Sequence, residues 1–179
     1  MCFARLGVLL IMLAALNGCG DNLIPSGDDK RPLIQAGSTG AGVGQNAPNF
    51  SVSDTDGLPV TLDSALAARK GVVLYFTMWC PTCDVQTTQL QAMIPQFPDV
   101  GFYLVDYVSG SVSDAGASAL ANGYTGVGFT ILADTGHLLL NGFQGTMGTT
   151  VMIDASGVVR LNEDYRDGSR LRTLLTGLP

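Results

Sequence analysis

Hydrophobic residues occur along this chain in short runs that are separated by glycine, proline and acidic turns. Residues 72–77 and 100–105 are mostly apolar, aromatic or β-branched, which is typical of interior strands in a sheet covered on both faces. Residues 83–94 contain neither glycine nor proline, and Val85, Leu90 and their neighbours form a partial helical stripe. The pattern therefore predicts a strand, a helix and a second strand in succession.

The remaining runs extend this alternation in both directions. Upstream, residues 50–53 and 58–61 flank an Asp-Thr-Asp-Gly turn signal and predict a β-hairpin. The other predicted elements are a helix at 62–69 begun by Thr61 or Asp63, a helix at 113–121, a strand at 130–132, a hairpin at 150–161 and a closing helix at 169–176. This order predicts an α/β domain with a mixed sheet flanked by helices.

The N-terminal segment has the composition of a secretion signal. Arg5 supplies a positive charge, and residues 6–16 form an apolar run that is too short to span a membrane comfortably. Residues 16–19, Leu-Asn-Gly-Cys, resemble the lipobox of bacterial lipoproteins. We predict a signal peptide at 1–18 and a lipid on Cys19, which anchors the exported chain to a bacterial membrane facing the periplasm or the cell exterior. An ordinary secretory signal cut nearby is the alternative.

Residues 19–43 are rich in Gly, Ser, Asp and Pro without an apolar period. They predict a flexible tether before one domain at residues 44–179. The formal net charge of the whole chain is −6, and the sequence contains no cluster of Lys and Arg. This balance argues against nucleic acid as a partner.

The four cysteines divide into two groups. Cys2 would leave with the signal and Cys19 would carry lipid, so Cys80 and Cys83 remain. A close pair alone in an exported protein is more typical of a working dithiol than of a structural framework. The pair follows a predicted strand and opens a predicted helix, where free N–H groups and the helix dipole lower the pKa of a thiol. These residues therefore predict a reversible two-electron redox pair.

Three motifs occur in the order expected of a known family. They are residues 44–50 (Gly-Gln-Asn-Ala-Pro-Asn-Phe), residues 79–83 (Trp-Cys-Pro-Thr-Cys) and residues 149–157, which resemble a terminal strand and turn. Over residues 44–178 the chain resembles the thioredoxin superfamily, in the redoxin branch related to cytochrome-c-maturation and AhpC/TSA-like proteins. The resemblance implies a thioredoxin-like fold with an N-terminal β-hairpin extension and the activity of a thiol-disulfide oxidoreductase.

The resemblance also implies roles for individual residues. Cys80 would attack a substrate disulfide, and Cys83 would resolve the mixed disulfide. The candidate substrate contacts are Trp79, Pro81, Thr82, Met147, Gly148 and Thr149. Trp79 has a second interpretation, as a residue that fills space at the end of a strand. The expected partners are protein thiols and disulfides and a redox partner of unidentified nature, with neither a dissociable cofactor nor a metal.

The chain departs from the family pattern in two places. Gly148 stands where the family has a cis-proline, so we expect a trans peptide or a reshaped loop. Leu74 and Gln86 stand where many relatives place a buried acid beneath the dithiol. Proton transfer would then involve water or Asp84.

A peroxiredoxin-like thiol peroxidase is one alternative. Residues 77–82 resemble the Thr-x-x-Cys-Pro-Thr motif of the peroxidatic loop, in which the threonine orients the peroxide. That family also has a proline seven residues before the cysteine, where this chain has Val73. Its activating arginine would fall near Gly148, and Arg160 lies beyond the turn.

Two further alternatives remain. Cys80, Cys83 and the single histidine, His137, would make an incomplete soft metal site that resembles those of copper-handling relatives of this fold. Those relatives space their cysteines by three residues rather than two, and structural zinc takes four ligands. The other alternative is a non-catalytic binding module with a thioredoxin-like fold, in which the dithiol has no function.

Overall fold

A computed structural model describes residues 34–179. The predicted signal peptide, Cys19 and the first part of the predicted tether lie outside the described residues. Residues 34–43, the last part of that tether, are hydrogen-bonded to the domain. The Gly37 N–H donates to the Gly44 carbonyl at 3.0 Å, and the Gly44 N–H donates to the Val159 carbonyl at 2.9 Å. The Asn162 side chain donates to the Ala41 carbonyl at 2.9 Å.

The described chain alternates strands and helices as the sequence predicts. The strands are β1 (Ser51–Asp54), β2 (Pro59–Thr61), β3 (Gly71–Thr77), β4 (Val100–Asp106), β5 (Thr130–Ala133), β6 (Thr149–Asp154) and β7 (Val159–Asp164). The α-helices are α1 (Leu62–Leu66), α2 (Pro81–Gln91), α3 (Val112–Ala121), α4 (Leu138–Gly142) and α5 (Ser169–Thr176), and a 3₁₀ turn spans Ile94–Gln96.

The seven strands form one sheet in the order β2-β1-β5-β4-β3-β6-β7. β3 pairs with β4 in parallel, and so does β4 with β5. β6 is antiparallel to β3, and both hairpins are antiparallel as predicted. The mixed sheet and the flanking helices confirm the predicted α/β, thioredoxin-like class. In this order β4 and β6 lie on opposite sides of β3, the strand that leads into the dithiol.

Alternating side chains of the central strands contribute to two cores. Leu74 and Phe76 of β3 join the core that includes residues of α1 and α4, whereas Val73 and Tyr75 join the core that includes residues of α2, α3 and α5. All residues of β3 are buried, as expected for a strand covered on both faces. The rigid end of β3 therefore supports the loop that carries the two cysteines.

Two details differ from the sequence predictions. Helix α2 ends at Gln91 rather than near residue 94, and the chain continues into a 3₁₀ turn that contains Pro95, which has no N–H to continue an α-helix. The sequence analysis also missed the five-residue helix α4. Its first turn is held by the Asp134 carboxylate, which accepts hydrogen bonds from the N–H groups of Leu139 and Leu140 at 3.1 and 2.8 Å.

None of the helices within residues 34–179 is both long enough and apolar enough to cross a membrane.

Candidate active site

The dithiol lies where β3 passes into α2. Cys80 is the N-cap residue of α2, with an extended backbone, and its Sγ accepts the N–H of Cys83 at 3.1 Å. Pro81 occupies the first turn, where its missing N–H costs no helical hydrogen bond. The two cysteines form a disulfide, with their Cα atoms 5.0 Å apart. The redox pair predicted from the sequence is therefore assembled at a helix N-terminus.

The two sulfurs differ in their access to solvent. Cys83 lies in the first turn of α2 and is 1% exposed, whereas Cys80 is partly exposed. Neighbouring Met78 is 45% exposed. A visiting disulfide can therefore reach Cys80, while Cys83 is reached only from within the protein.

On the β4 side, Trp79 is fixed by hydrogen bonds at both its backbone and its ring. Its backbone is in the left-handed region at a φ of 57°, which is uncommon for a bulky residue. The backbone N–H donates to Thr77 Oγ1 at 3.0 Å, and the indole N–H donates to Asp106 Oδ2 at 2.8 Å. Trp79 thus has the defined position that a contact surface beside Cys80 requires.

Asp106, which the sequence analysis did not select, organises this side of the site. Its carboxylate is fully buried. Oδ1 accepts the N–H groups of Val108 and Ser109 at 3.0 and 2.9 Å, and Oδ2 accepts the Ser109 hydroxyl at 2.6 Å as well as the Trp79 ring. A signal existed in the sequence, because Asp106 ends a buried strand parallel to β3, and the carboxyl ends of such strands share one edge of the sheet.

On the β6 side, Met147 and Gly148 approach the dithiol. Met147 Sδ lies 3.4 Å from Cys80 Sγ, and the Met147 side chain is 44% exposed. The Gly148 N–H donates to the Phe76 carbonyl at 2.9 Å, and the Gly148 carbonyl accepts the N–H of Tyr165 at 2.8 Å. Strand β3 and the residue that follows β7 therefore hold the backbone of this segment, while the Met147 side chain extends to the surface.

Gly148 is the glycine at the expected cis-proline position. All peptide bonds within residues 34–179 are trans, and the φ of Gly148 is +83°. Proline is restricted to a φ near −65° and has no N–H, so it would fit neither this backbone nor the hydrogen bond to Phe76. The expectation of a trans peptide is confirmed.

Beside Gly148, a buried polar group replaces the acid found in relatives. The Tyr75 hydroxyl donates to Gln86 Oε1 at 2.5 Å, and Gln86 Nε2 donates to the Tyr165 carbonyl at 3.2 Å. Burial, reinforced by the neighbouring Tyr165, raises the pKa of Tyr75. Leu74 points into the opposite core. This position beside the dithiol is therefore occupied by an uncharged Tyr-Gln pair.

Asp84, the other candidate for proton transfer, has a structural partner. Its carboxylate accepts the Tyr124 hydroxyl at 2.5 Å, and its backbone carbonyl accepts the same hydroxyl at 3.1 Å. Burial and this hydrogen bond raise the pKa of Tyr124. Asp84 thus connects the start of α2 to the segment that follows α3.

The remaining predicted contacts fall into two groups. Pro81 and Thr82 are exposed in the first turn of α2. Thr149 is buried, and its hydroxyl accepts the Thr146 N–H at 2.9 Å. The roles of these residues as substrate contacts stay predictions.

The groups needed by the rival functions are bound elsewhere. Arg160 pairs with Asp154 at 2.6 Å, at the opposite end of β6 from Gly148. His137 Nε2 lies 3.0 Å from the Tyr107 carbonyl. Within residues 34–179, no three His, Cys, Asp or Glu side chains are grouped so that they could hold a metal ion. Arg160 therefore does not lie at the position of a peroxidatic arginine, and within residues 34–179 the alternative metal site with His137 is not assembled.

This fold, with a cysteine pair at the first helix that follows a central strand, defines a thioredoxin-like protein of the redoxin branch. The profile of the AhpC/TSA family matches residues 43–162, about two thirds of the sequence. The chain belongs to the AhpC/TSA family, and the resemblance found in the sequence is confirmed.

Individual proteins and structures agree with this assignment. Thiol-disulfide oxidoreductase ResA of Bacillus subtilis (strain 168) is 28% identical over 159 residues, which cover 88% of this chain and 81% of ResA. ResA of Bacillus thuringiensis (strain Al Hakam) is 27% identical over 119 residues, which cover 65% of this chain and 66%, just under two thirds, of the ResA length. The structure of MTB dsbF in its mixed oxidized and reduced forms has a TM-score of 0.59 and 26% identity, and the match covers 73% of this chain and 95% of dsbF.

Proposed function

We propose that this protein is an exported, lipid-anchored thiol-disulfide oxidoreductase that exchanges disulfides with protein substrates. The observation that carries the proposal is the unequal exposure of two cysteines at one helix N-terminus, with the Cys83 N–H directed at Cys80 Sγ. Similarity to proteins named thiol-disulfide oxidoreductase supports it. Cys80 is the attacking and Cys83 the resolving residue.

In the reductive direction, the Cys80 thiolate attacks one sulfur of a substrate disulfide. A bond forms between Cys80 and that sulfur, and the other substrate sulfur leaves as a thiolate. The Cys83 thiolate then attacks Cys80 Sγ, which closes the Cys80–Cys83 disulfide and releases the second substrate thiolate. Two electrons pass from the protein dithiol to the substrate, and the released thiolates take up protons. The same steps in reverse oxidise a substrate dithiol.

The surroundings of Cys80 favour this exchange. The N-terminus of α2 stabilises negative charge on Cys80 Sγ through the Cys83 N–H and the helix dipole. Trp79 on one side and Met147 on the other leave the sulfur partly open. The Tyr75-Gln86 pair offers no carboxylate, so proton transfer to and from the thiols involves water or Asp84.

The location follows from the N-terminal sequence. Arg5, the apolar run at 6–16 and the lipobox-like residues 16–19 support export with a lipid on Cys19. Labelling cells with a tagged fatty acid tests this part. We expect label on the wild-type chain and its loss in Cys19→Ser. Equal labelling of both chains would contradict an anchor at Cys19.

The reduction of insulin disulfides tests the activity. We expect the wild-type protein to accelerate it, Cys80→Ser to show no acceleration, and Cys83→Ser to stop after one mixed disulfide. Ser156→Ala, an exposed change in the turn between β6 and β7, is the matched control and retains full activity. If Cys80→Ser reduced insulin as fast as wild type, the proposed function would be wrong.

The reduction potential of the Cys80–Cys83 couple then defines the direction of exchange. A value of about −270 mV identifies a reductant, and a value of about −120 mV identifies an oxidant.

A further inference from the structure

We propose that the reduced protein binds one cuprous ion through three sulfur atoms: Cys80 Sγ, Cys83 Sγ and Met147 Sδ. The observation that points to this site is the 3.4 Å contact between the Met147 thioether and Cys80 Sγ. Soft thiolate and thioether donors select Cu(I) over harder cations. The proposal concerns binding by the dithiol form and does not depend on exchange with protein substrates.

The spacing of the sulfurs suits a three-coordinate ion. Metal–sulfur bonds of about 2.3 Å place the sulfurs of a trigonal site roughly 4 Å apart. Met147 Sδ and Cys80 Sγ are 3.4 Å apart, so a small rotation of the flexible Met147 side chain reaches that separation. Reduction of the disulfide frees the sulfurs of Cys80 and Cys83, whose Cα atoms are 5.0 Å apart, to separate by rotation of their side chains. The backbone can therefore remain in place.

The local backbone also holds the third donor in position. The residue after Met147 is fixed to β3 by its N–H and to the end of β7 by its carbonyl, at 2.9 and 2.8 Å. The Met147 side chain itself is 44% exposed. A cuprous ion delivered by a soluble carrier can therefore reach the sulfur from solvent, and ligand exchange requires no opening of the core.

Charge favours the bound state. One Cu⁺ with two thiolates and a neutral thioether carries a net charge of −1, and its formation from two thiols releases two protons. This charge lies at the N-terminus of α2, where the Cys83 N–H already points at Cys80 Sγ and where the helix dipole favours an anion.

The proposed three-sulfur site differs from the metal site with His137 that the sequence suggested as an alternative. That site required His137, whose Nε2 contacts the Tyr107 carbonyl at 3.0 Å. Structural zinc takes four N or S ligands, and within residues 34–179 no third His, Cys, Asp or Glu joins the two cysteines. In the proposed site a thioether takes the place of the histidine, and the three sulfur donors suit Cu(I).

The test is an anaerobic Cu(I) titration in competition with bicinchoninate. The reduced protein carries Cys2→Ser and Cys19→Ser, so that Cys80 and Cys83 are its only thiols. We expect one Cu(I) per chain. Because even outer-shell partners are worth about 10–100-fold in metal affinity, Met147→Leu should weaken binding at least about tenfold. Met78→Leu, a matched change at an exposed methionine near the dithiol, and His137→Ala should leave the affinity unchanged.

X-ray absorption of the copper-loaded protein provides a second readout. We expect three sulfur neighbours in the parent and two in Met147→Leu. Equal affinity and equal sulfur counts in these two proteins would overturn the proposal, as would a loss of affinity in His137→Ala. Insulin reduction is measured on the parent in parallel, so that a failure of copper binding is distinguished from a failure of disulfide exchange.

Discussion

The two sides of the dithiol are built differently. On the tryptophan side (Trp79, Asp106 and Ser109), a buried carboxylate accepts four hydrogen bonds and fixes a large ring. On the methionine side (Met147 and Gly148), the segment is held by two backbone hydrogen bonds of Gly148 and a longer one from the Thr150 hydroxyl to the Gly148 carbonyl, and the Met147 side chain is partly exposed. Side-chain order is therefore concentrated on one side of the cysteine pair.

This difference indicates a division of roles. A partner that approaches Cys80 meets a rigid surface on the tryptophan side and an adjustable thioether on the methionine side. Because methionine is flexible and polarizable, the methionine side is suited to partners of different shape. The tryptophan side instead stabilises the loop that sets the position of Cys80.

The largest expected effect on stability comes from replacing Asp106, whose carboxylate holds the tryptophan side together. Asp106→Ala leaves the N–H groups of Val108, Ser109 and the Trp79 ring without their acceptor. Since each unsatisfied buried group costs about 1–3 kcal/mol, we expect the free energy of unfolding to fall by about 3 kcal/mol or more. Denaturant unfolding measures it, and the emission of Trp79, the chain's single tryptophan, reports on the same side. A loss no greater than that in Asp56→Ala, an exposed control, would contradict the assignment.

The backbone of the methionine side is tested by Gly148→Ala. The φ of Gly148 is +83°, and an added Cβ would lie 3.2 Å from Gln86 Oε1. A left-handed conformation costs an L-residue about 1–2 kcal/mol, so we expect a loss of that size in unfolding free energy. Gly110→Ala meets open space without a positive φ and serves as control. Equal stability changes in the two variants would show that Gly148 is not required for this backbone.

The uncharged pair of Tyr75 and Gln86 beside Gly148 predicts that the free energy of unfolding depends on pH. Burial raises the pKa of Tyr75 in the folded protein, whereas in the unfolded chain it is about 10. The stability contributed by neutral Tyr75 is therefore complete below pH 10 and is lost as the pH rises above about 10.

Replacing Tyr75 by phenylalanine makes the free energy of unfolding fall less steeply as the pH rises above about 10. We expect Tyr75→Phe to lower the slope of unfolding free energy against pH by up to about 1.4 kcal/mol per pH unit above pH 10. Its lost hydrogen bond to Gln86 costs about 1 kcal/mol at neutral pH. Urea unfolding between about pH 8 and about pH 11 measures both. Identical slopes in the two proteins would mean that folding does not raise the pKa of Tyr75.

The smallest expected effect is that of Met147→Leu on stability. The side chain is partly exposed and of similar size to leucine, so the unfolding free energy should change by less than about 0.5 kcal/mol. Thermal or urea unfolding checks this. A loss comparable to that of Gly148→Ala would mean that the methionine side depends on its side chain for order.

Periodicity predicted most of the fold because the central strands and α5 have strong local signals. Residues 72–77 and 100–105 lie within β3 and β4, and the predicted closing helix coincides with α5. Helix α4 was missed because its N-cap residue, His137, makes no side-chain cap. The carboxylate of Asp134, which precedes the helix, instead binds the N–H groups of Leu139 and Leu140. The strand order depends on long-range pairing, which a local pattern does not contain.

Only part of the site was predicted from the sequence, because most of its contacts join residues that are far apart along the chain. Cys80 and Cys83 are neighbours in sequence, so their spacing revealed the pair. The contact of Trp79 with Asp106 spans 27 residues and that of Cys80 with Met147 spans 67. Family resemblance placed Met147 near the dithiol, but only the folded chain shows its sulfur against Cys80.

The central claim is that Cys80 alone meets the substrate and Cys83 alone resolves it. Mass spectrometry of mixed disulfides, formed with a peptide disulfide under conditions of limited exchange, tests this most directly. The account predicts that Cys83→Ser accumulates the peptide on Cys80 and that Cys80→Ser accumulates none on Cys83. Peptide attached to Cys83 in Cys80→Ser, at the rate seen for Cys80, would contradict it.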